Sequence, residues 1–142
     1  DVTIQAQILK LLSQLKEEYS MSMLFISHDL GVIAQLCDYI LIMYLGKIIE
    51  KGTPKDIFAN PLHPYTKALI SSIPMPDPTQ KKEIQPLKGD IPSPMNLPSG
   101  CRFHPRCPNA MPRCSQKEPL LQINDTSEVA CFLYSENGSS AK

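Results

Sequence analysis

The chain has no excess of charge of either sign: 14 lysines and arginines face 14 aspartates and glutamates in 142 residues, for a formal net charge of zero. Net charge therefore gives no reason to expect a nucleic acid or an anionic membrane surface as partner. Long hydrophobic runs are missing too. The longest, Tyr39 to Leu45, falls far short of the roughly 20 residues that cross a bilayer. The N-terminus shows no basic-then-apolar leader, so any membrane association is expected to pass through a partner. Nowhere is there a Gly-x-x-x-x-Gly-Lys-Ser/Thr loop to cradle nucleotide phosphates. With the start at Asp1-Val2-Thr3 rather than at methionine, this absence leads us to expect a piece of a longer protein.

What is present is strongly patterned. Ile4, Ile8, Leu11, Leu12, Leu15 and Tyr19 recur at steps of three and four, the period of a helix buried on one face, with Asp1 as its cap. The near-continuous apolar run Met21 to Ile26 reads as a strand buried on both faces and ends in Ser27-His28-Asp29. In an open parallel sheet, ligands bind at the carboxyl end of such a strand, which makes His28 a candidate phosphate contact. A Ser-His-Asp triad is excluded, because consecutive strand residues point to opposite faces and the three side chains cannot converge.

Leu30 to Cys37 reads as a short amphipathic helix with Cys37 in its core. Two apolar runs between Asp38 and Lys51 flank Leu45-Gly46 and predict an antiparallel hairpin. Thr53-Pro54-Lys55-Asp56 supplies an N-cap, a first-turn proline and an acid, so a helix should run to about Ala59. A further helix begins at Pro64, capped by His63, with Tyr65, Leu69 and Ile73 on its packed face. Six prolines between Pro74 and Pro94 exclude both helix and central strand there.

Residues 99–134 hold four of the five cysteines and few bulky apolar groups, so a hydrophobic core alone is expected to be marginal. Cys101, Cys107, Cys114 and Cys131 are candidate ligands of an iron–sulfur cluster or a tetrahedral zinc. The Cys-x-x-Cys knuckle usual for structural zinc is lacking. Arg102, Arg106, Arg113 and Lys117, together with backbone N–H groups, are expected to offset the thiolate charge. Free thiols are the bland alternative, and His104 is read as a neighbour of the site, not a ligand.

From Leu24 to Pro54 the sequence resembles the histidine-switch region of the ABC ATPases, whose histidine contacts the γ-phosphate of ATP. Asp1 matches the aspartate closing that family's D-loop, near the dimer seam. His63-Pro64-Tyr65-Thr66, Pro92-Ser93-Pro94 and Ser99-Gly100-Cys101-Arg102-Phe103-His104-Pro105-Arg106-Cys107 resemble the C-terminal extension of the oligopeptide and dipeptide importer ATPases, whose four cysteines are associated with a [4Fe–4S] cluster. The resemblance implies an α/β fold: an ATPase portion over 1–73, a proline-rich linker over 74–98, a cysteine-rich extension over 99–134 and an unstructured tail over 135–142.

The same resemblance implies ATP and Mg²⁺ as cofactors of a longer parent. It also implies a second ATP-binding subunit and membrane permease subunits as partners, and a place on the cytoplasmic face of the membrane. The chain alone is expected not to hydrolyse ATP. A non-catalytic metal-binding interaction module is the competing reading.

Overall fold

The computed structural model describes residues 2–73, 87 and 89–135. Asp1, most of the proline-rich stretch and the tail beyond Ser135 lie outside the described residues, and with them the expectations placed there. Two compact units, 1–38 and 39–142, are taken separately.

In the first unit, α1 (Val2–Glu18) forms where the apolar period places a helix, but the expected buried face is not buried: Ile4, Ile8 and Leu11 are more than half exposed. The expected strand does not form: residues 21–27 carry no helix or strand. Leu24 is 83% and Ile26 89% exposed. A strand buried on both faces needs a ladder partner on each side, and among the described residues this unit offers none. Asp29 then caps α2 (Leu30–Leu36), its Oδ1 accepting the Gly31 and Val32 N–H groups at 2.9 and 3.2 Å. Cys37 is the half-buried C-cap of α2, not a core residue.

The second unit is built on an antiparallel sheet of order β1-β2-β4-β3. Its hairpin pairs β1 (Ile40–Tyr44) with β2 (Lys47–Gly52) through Leu45 and Gly46. Both turn residues have positive φ, 45° and 79°, the combination whose twist matches the flanking strands. Ile40, Ile42 and Tyr44 point inward while Leu41 and Met43 face out, the period-two pattern of a half-buried strand. The helices after the hairpin start where their caps predicted: α3 (Pro54–Ala59) on Thr53, whose Oγ1 accepts the Asp56 N–H at 3.2 Å, and α4 (Pro64–Ser71) on His63.

The cysteine-rich residues are not a separate body. After a single 3₁₀ turn (His104–Arg106) and α5 (Pro112–Gln116) come β3 (Gln122–Asn124) and β4 (Ser127–Val129). β4 pairs with β2 through Glu50–Val129 and Lys51–Glu128. The compact unit thus begins at residue 39, and the expected division at the proline-rich stretch does not coincide with it. Phe103, 1% exposed, packs its ring against Tyr44, His63 and Tyr65 at centroid distances of 5.2, 5.4 and 5.5 Å. What the extension lacks in apolar residues it obtains by docking Phe103 and Val129 into the hairpin's core.

His63 carries a measurable consequence. Its Nδ1 accepts the Tyr65 N–H at 3.1 Å, and burial, helped by the Lys67 charge, lowers its pKa from 6.5 to about 4. Protonation is therefore easier in the unfolded chain. The neutral ring's contribution is complete above pH 6.5 and is lost as the pH falls towards 4, a total of about 3 kcal/mol. Urea midpoints measured across this window should fall steeply, and the His63→Asn variant, which keeps an N-cap acceptor but cannot titrate, should lose that part of the slope. Equal slopes for the two proteins would refute the assignment.

Candidate functional site

The first candidate, His28, is an exposed residue ahead of α2. Its neighbours in the triplet are occupied: Ser27 Oγ accepts the Asp29 N–H at 3.0 Å and Asp29 caps the helix. The cap role of Asp29 was legible in the sequence, as an acid placed just before an apolar-periodic segment.

The four cysteines come from four pieces of backbone. Gly100, at φ 66°, turns the chain so that the Cys101 N–H reaches the Cys114 carbonyl at 2.8 Å. The Cys101 carbonyl in turn accepts the His104 N–H at 3.0 Å and lies 2.9 Å from His104 Nδ1, which leaves His104 beside the cysteines as expected. The 3₁₀ turn delivers Cys107, whose N–H reaches the His104 carbonyl at 3.3 Å. Cys114 lies in α5, its Sγ 3.4 Å from the Met111 N–H. Cys131 follows β4, whose continuation is pinned by the Ala130 N–H on the Ile49 carbonyl at 2.8 Å.

The thiols register one another. Burial raises the pKa of Cys101, and charge on Cys114 and Cys107 adds to the rise. Burial raises Cys107, with Cys114 adding. Cys131 is pushed up to about 11 by burial, with contributions from all three of the others. The fold has brought four sulfurs, spread over thirty-one positions (101–131), into one neighbourhood. All are free thiols.

The downward pulls on these thiols come from backbone N–H groups, at Phe103 and His104 for Cys101, Asn109 for Cys107 and Leu133 for Cys131, and not from arginine or lysine. Two of the guanidinium groups are hydrogen-bonded to main-chain carbonyls. Arg102 Nη1 donates to the Leu45 carbonyl, and Arg113 Nη2 donates to the Phe132 carbonyl at 2.6 Å while stacking 4.9 Å from the Phe132 ring. Moreover, among the described residues no three His, Cys, Asp or Glu side chains stand as a group able to hold a metal ion. As placed, the thiols are neighbours but not a metal cage.

Sequence reasoning missed the role of Glu50 and the hairpin-turn contact of Arg102. Glu50 is fully buried, its carboxylate oxygens accepting the Leu62 and His63 N–H groups at 2.7 and 2.9 Å. Arg102 ties the cysteine-rich segment to the hairpin turn.

Comparison with known proteins decides the family. The family described as "Oligopeptide/dipeptide transporter, C-terminal region" matches residues 49–114. The oligopeptide transport ATP-binding protein OppF of Salmonella typhimurium is 50% identical over 134 residues, 93% of this chain and 40% of that protein. The chain belongs to the oligopeptide ABC transporter ATP-binding family. Within it, AppD of Bacillus subtilis, also an oligopeptide transport ATP-binding protein, is 46% identical over 140 residues, 98% of this chain and 42% of its own length. A putative peptide import ATP-binding protein of Brucella ovis is 51% identical over 122 residues, 86% of this chain and 38% of its own. The chain thus spans about 40% of the length of these relatives. No helix among the described residues is long and apolar enough to cross a membrane.

Proposed function

We propose that this chain is the histidine-switch and C-terminal-extension portion of an ATP-binding subunit that couples ATP hydrolysis to peptide uptake. The observation that carries the reading is the near-50% identity to oligopeptide transport ATP-binding proteins over almost the whole chain. The first unit supports it physically. Leu24 and Ile26 are large apolar residues left exposed on a segment that carries neither helix nor strand, as residues of an inner strand would be without its neighbouring strands. His28 stands at the end of that segment, one residue ahead of the Asp29 cap of α2.

In this reading His28 contacts the γ-phosphate, stabilising developing charge or orienting the attacking water. The phosphate loop and the Mg²⁺ ligands come from sequence outside this chain, and Asp1 lies near the seam with a second ATP-binding subunit. Permease subunits hold the assembly at the cytoplasmic face of the membrane. The chain alone does not turn over ATP. In a full-length subunit, His28→Ala should lower ATP turnover by about 100-fold while nucleotide binding changes little. Turnover within twofold of the parent would reject the role.

For the cysteines, the observation in favour of a shared [4Fe–4S] group, with zinc as the alternative, is that four thiols from four backbone segments feel one another's charge. The side chains must close further to hold either, and when bound the group would supply the cross-link between these segments that metal–thiolate bonds provide.

A further inference from the structure

Beside the cysteines lies an open cavity of about 410 Å³ whose walls include Arg113, Lys117, Glu118, Leu120, Cys131 and Phe132. That volume is within the range of small-molecule sites. Its charge is unbalanced. Glu118 is paired with Lys47 at 2.6 Å, which neutralises the wall's carboxylate. Arg113 is held rigid by its bond to the Phe132 carbonyl and its stacking on the Phe132 ring, but these contacts are to neutral groups and leave its charge in place. Lys117 is exposed, with no carboxylate partner among the described residues. Two cations thus face the cavity uncompensated. The rest of the wall is mixed: Gln116, Gln122 and Ser135 are polar, while Pro119, Leu120, which is 76% exposed, and Phe132, the ring on which Arg113 stacks, are apolar.

We infer that this cavity binds a small amphipathic carboxylate, its anion on Lys117 and the free edge of Arg113 and its apolar tail against Leu120 and Phe132. A cation pair alone would suit inorganic phosphate, and an apolar wall alone would suit a neutral ligand. The combination selects a molecule carrying both. The inference is independent of the transport reading, since it rests on this cavity only.

The test uses the full chain, isotope-labelled, titrated with N-acetyl-leucine, with N-acetyl-leucine amide and with inorganic phosphate, and followed by the backbone amide resonances of Lys117, Leu120 and Phe132. For a ligand of about 12 non-hydrogen atoms, saturable binding with a dissociation constant on the order of a few millimolar is expected. The amide and phosphate should each bind about tenfold more weakly, the first for want of charge and the second for want of a tail. Lys117→Gln and Leu120→Ser, both changes of exposed side chains, should each weaken binding of the acetyl-leucine several-fold while leaving the remaining resonances dispersed as before. Equal binding of acid and amide, equal binding of phosphate, affinity unchanged in both variants, or no saturable shift at these three residues would each overturn the proposal.

Discussion

Gly100→Ala should unfold the cysteine-rich segment or cost the second unit about 3 kcal/mol or more. A Cβ on Gly100 would lie 2.4 Å from the Cys114 carbonyl oxygen and 2.9 Å from that of Lys117. Both are backbone atoms and cannot swing aside as a flexible side chain would. The carbonyl that is struck first is the one accepting the Cys101 N–H, so relieving the clash breaks the bond that sets Cys101 beside Cys114. Backbone conformation adds to the cost, because φ is 66°, where a Cβ is disfavoured by about 1 kcal/mol.

The two contributions can be separated. Gly89 has nearly the same φ, 69°, but nothing within 4 Å of its Cβ position, so Gly89→Ala should show the conformational cost alone. Urea unfolding of the full chain and the two variants measures the difference. Similar losses for Gly89→Ala and Gly100→Ala would mean that close packing at Gly100 is not what matters. Any metal group taken up by the four thiols should be lost from Gly100→Ala and retained by Gly89→Ala.

Local chemistry made much of the second unit readable in advance. Thr53-Pro54 and His63-Pro64 carry their own start signals, and the hairpin needed only Leu45-Gly46 between two apolar runs; each of these is decided by residues a few positions apart. The segment Met21 to Ile26 failed for the opposite reason. Its apolar run matches the pattern of an inner strand, but strand formation depends on partners that lie elsewhere, and among the described residues of its unit there is none. For the cysteines, composition identified the residues while the geometry depended on long-range pairing. Cys131 reaches the others only because β4 docks on β2, a contact across nearly eighty positions for which no short-range signal exists. The arginines near the cysteines are likewise visible in sequence, whereas the bonds of Arg102 and Arg113 to the Leu45 and Phe132 carbonyls are not.

Glu50→Ala should cost about 4 kcal/mol, and the reason begins with a slip in register. β1 and β2 pair as Ile42–Glu50 and then Met43–Ile48, so Ile49 is an extra residue in β2. A bulge of this kind breaks the strict alternation of faces, and Ile49 and Glu50, adjacent in sequence, are both buried. Strict alternation from Ile49 would have put Glu50 in water. Inside, its two oxygens take the Leu62 and His63 N–H groups at the entry to α4, donors that the helix itself cannot satisfy. Each N–H left buried without an acceptor costs about 1–3 kcal/mol, and the carboxylate also favours the positive end of the helix.

Replacing Glu50 by an apolar residue of similar size should not help. Buried side-chain ion pairs are often replaceable when both partners are exchanged for hydrophobic residues, but here the donors belong to the backbone and remain whatever side chain is chosen. The expected order of stability is therefore wild type, then Glu50→Gln, which retains one acceptor and loses about 2 kcal/mol, then Glu50→Met and Glu50→Ala together at the bottom. Because His63 is both a donor to Glu50 and the cap of α4, hydrogen exchange at Tyr65 and Lys67 should accelerate in the two acceptor-free variants before global unfolding. If Glu50→Met is as stable as the wild type, the carboxylate is not what secures the start of α4.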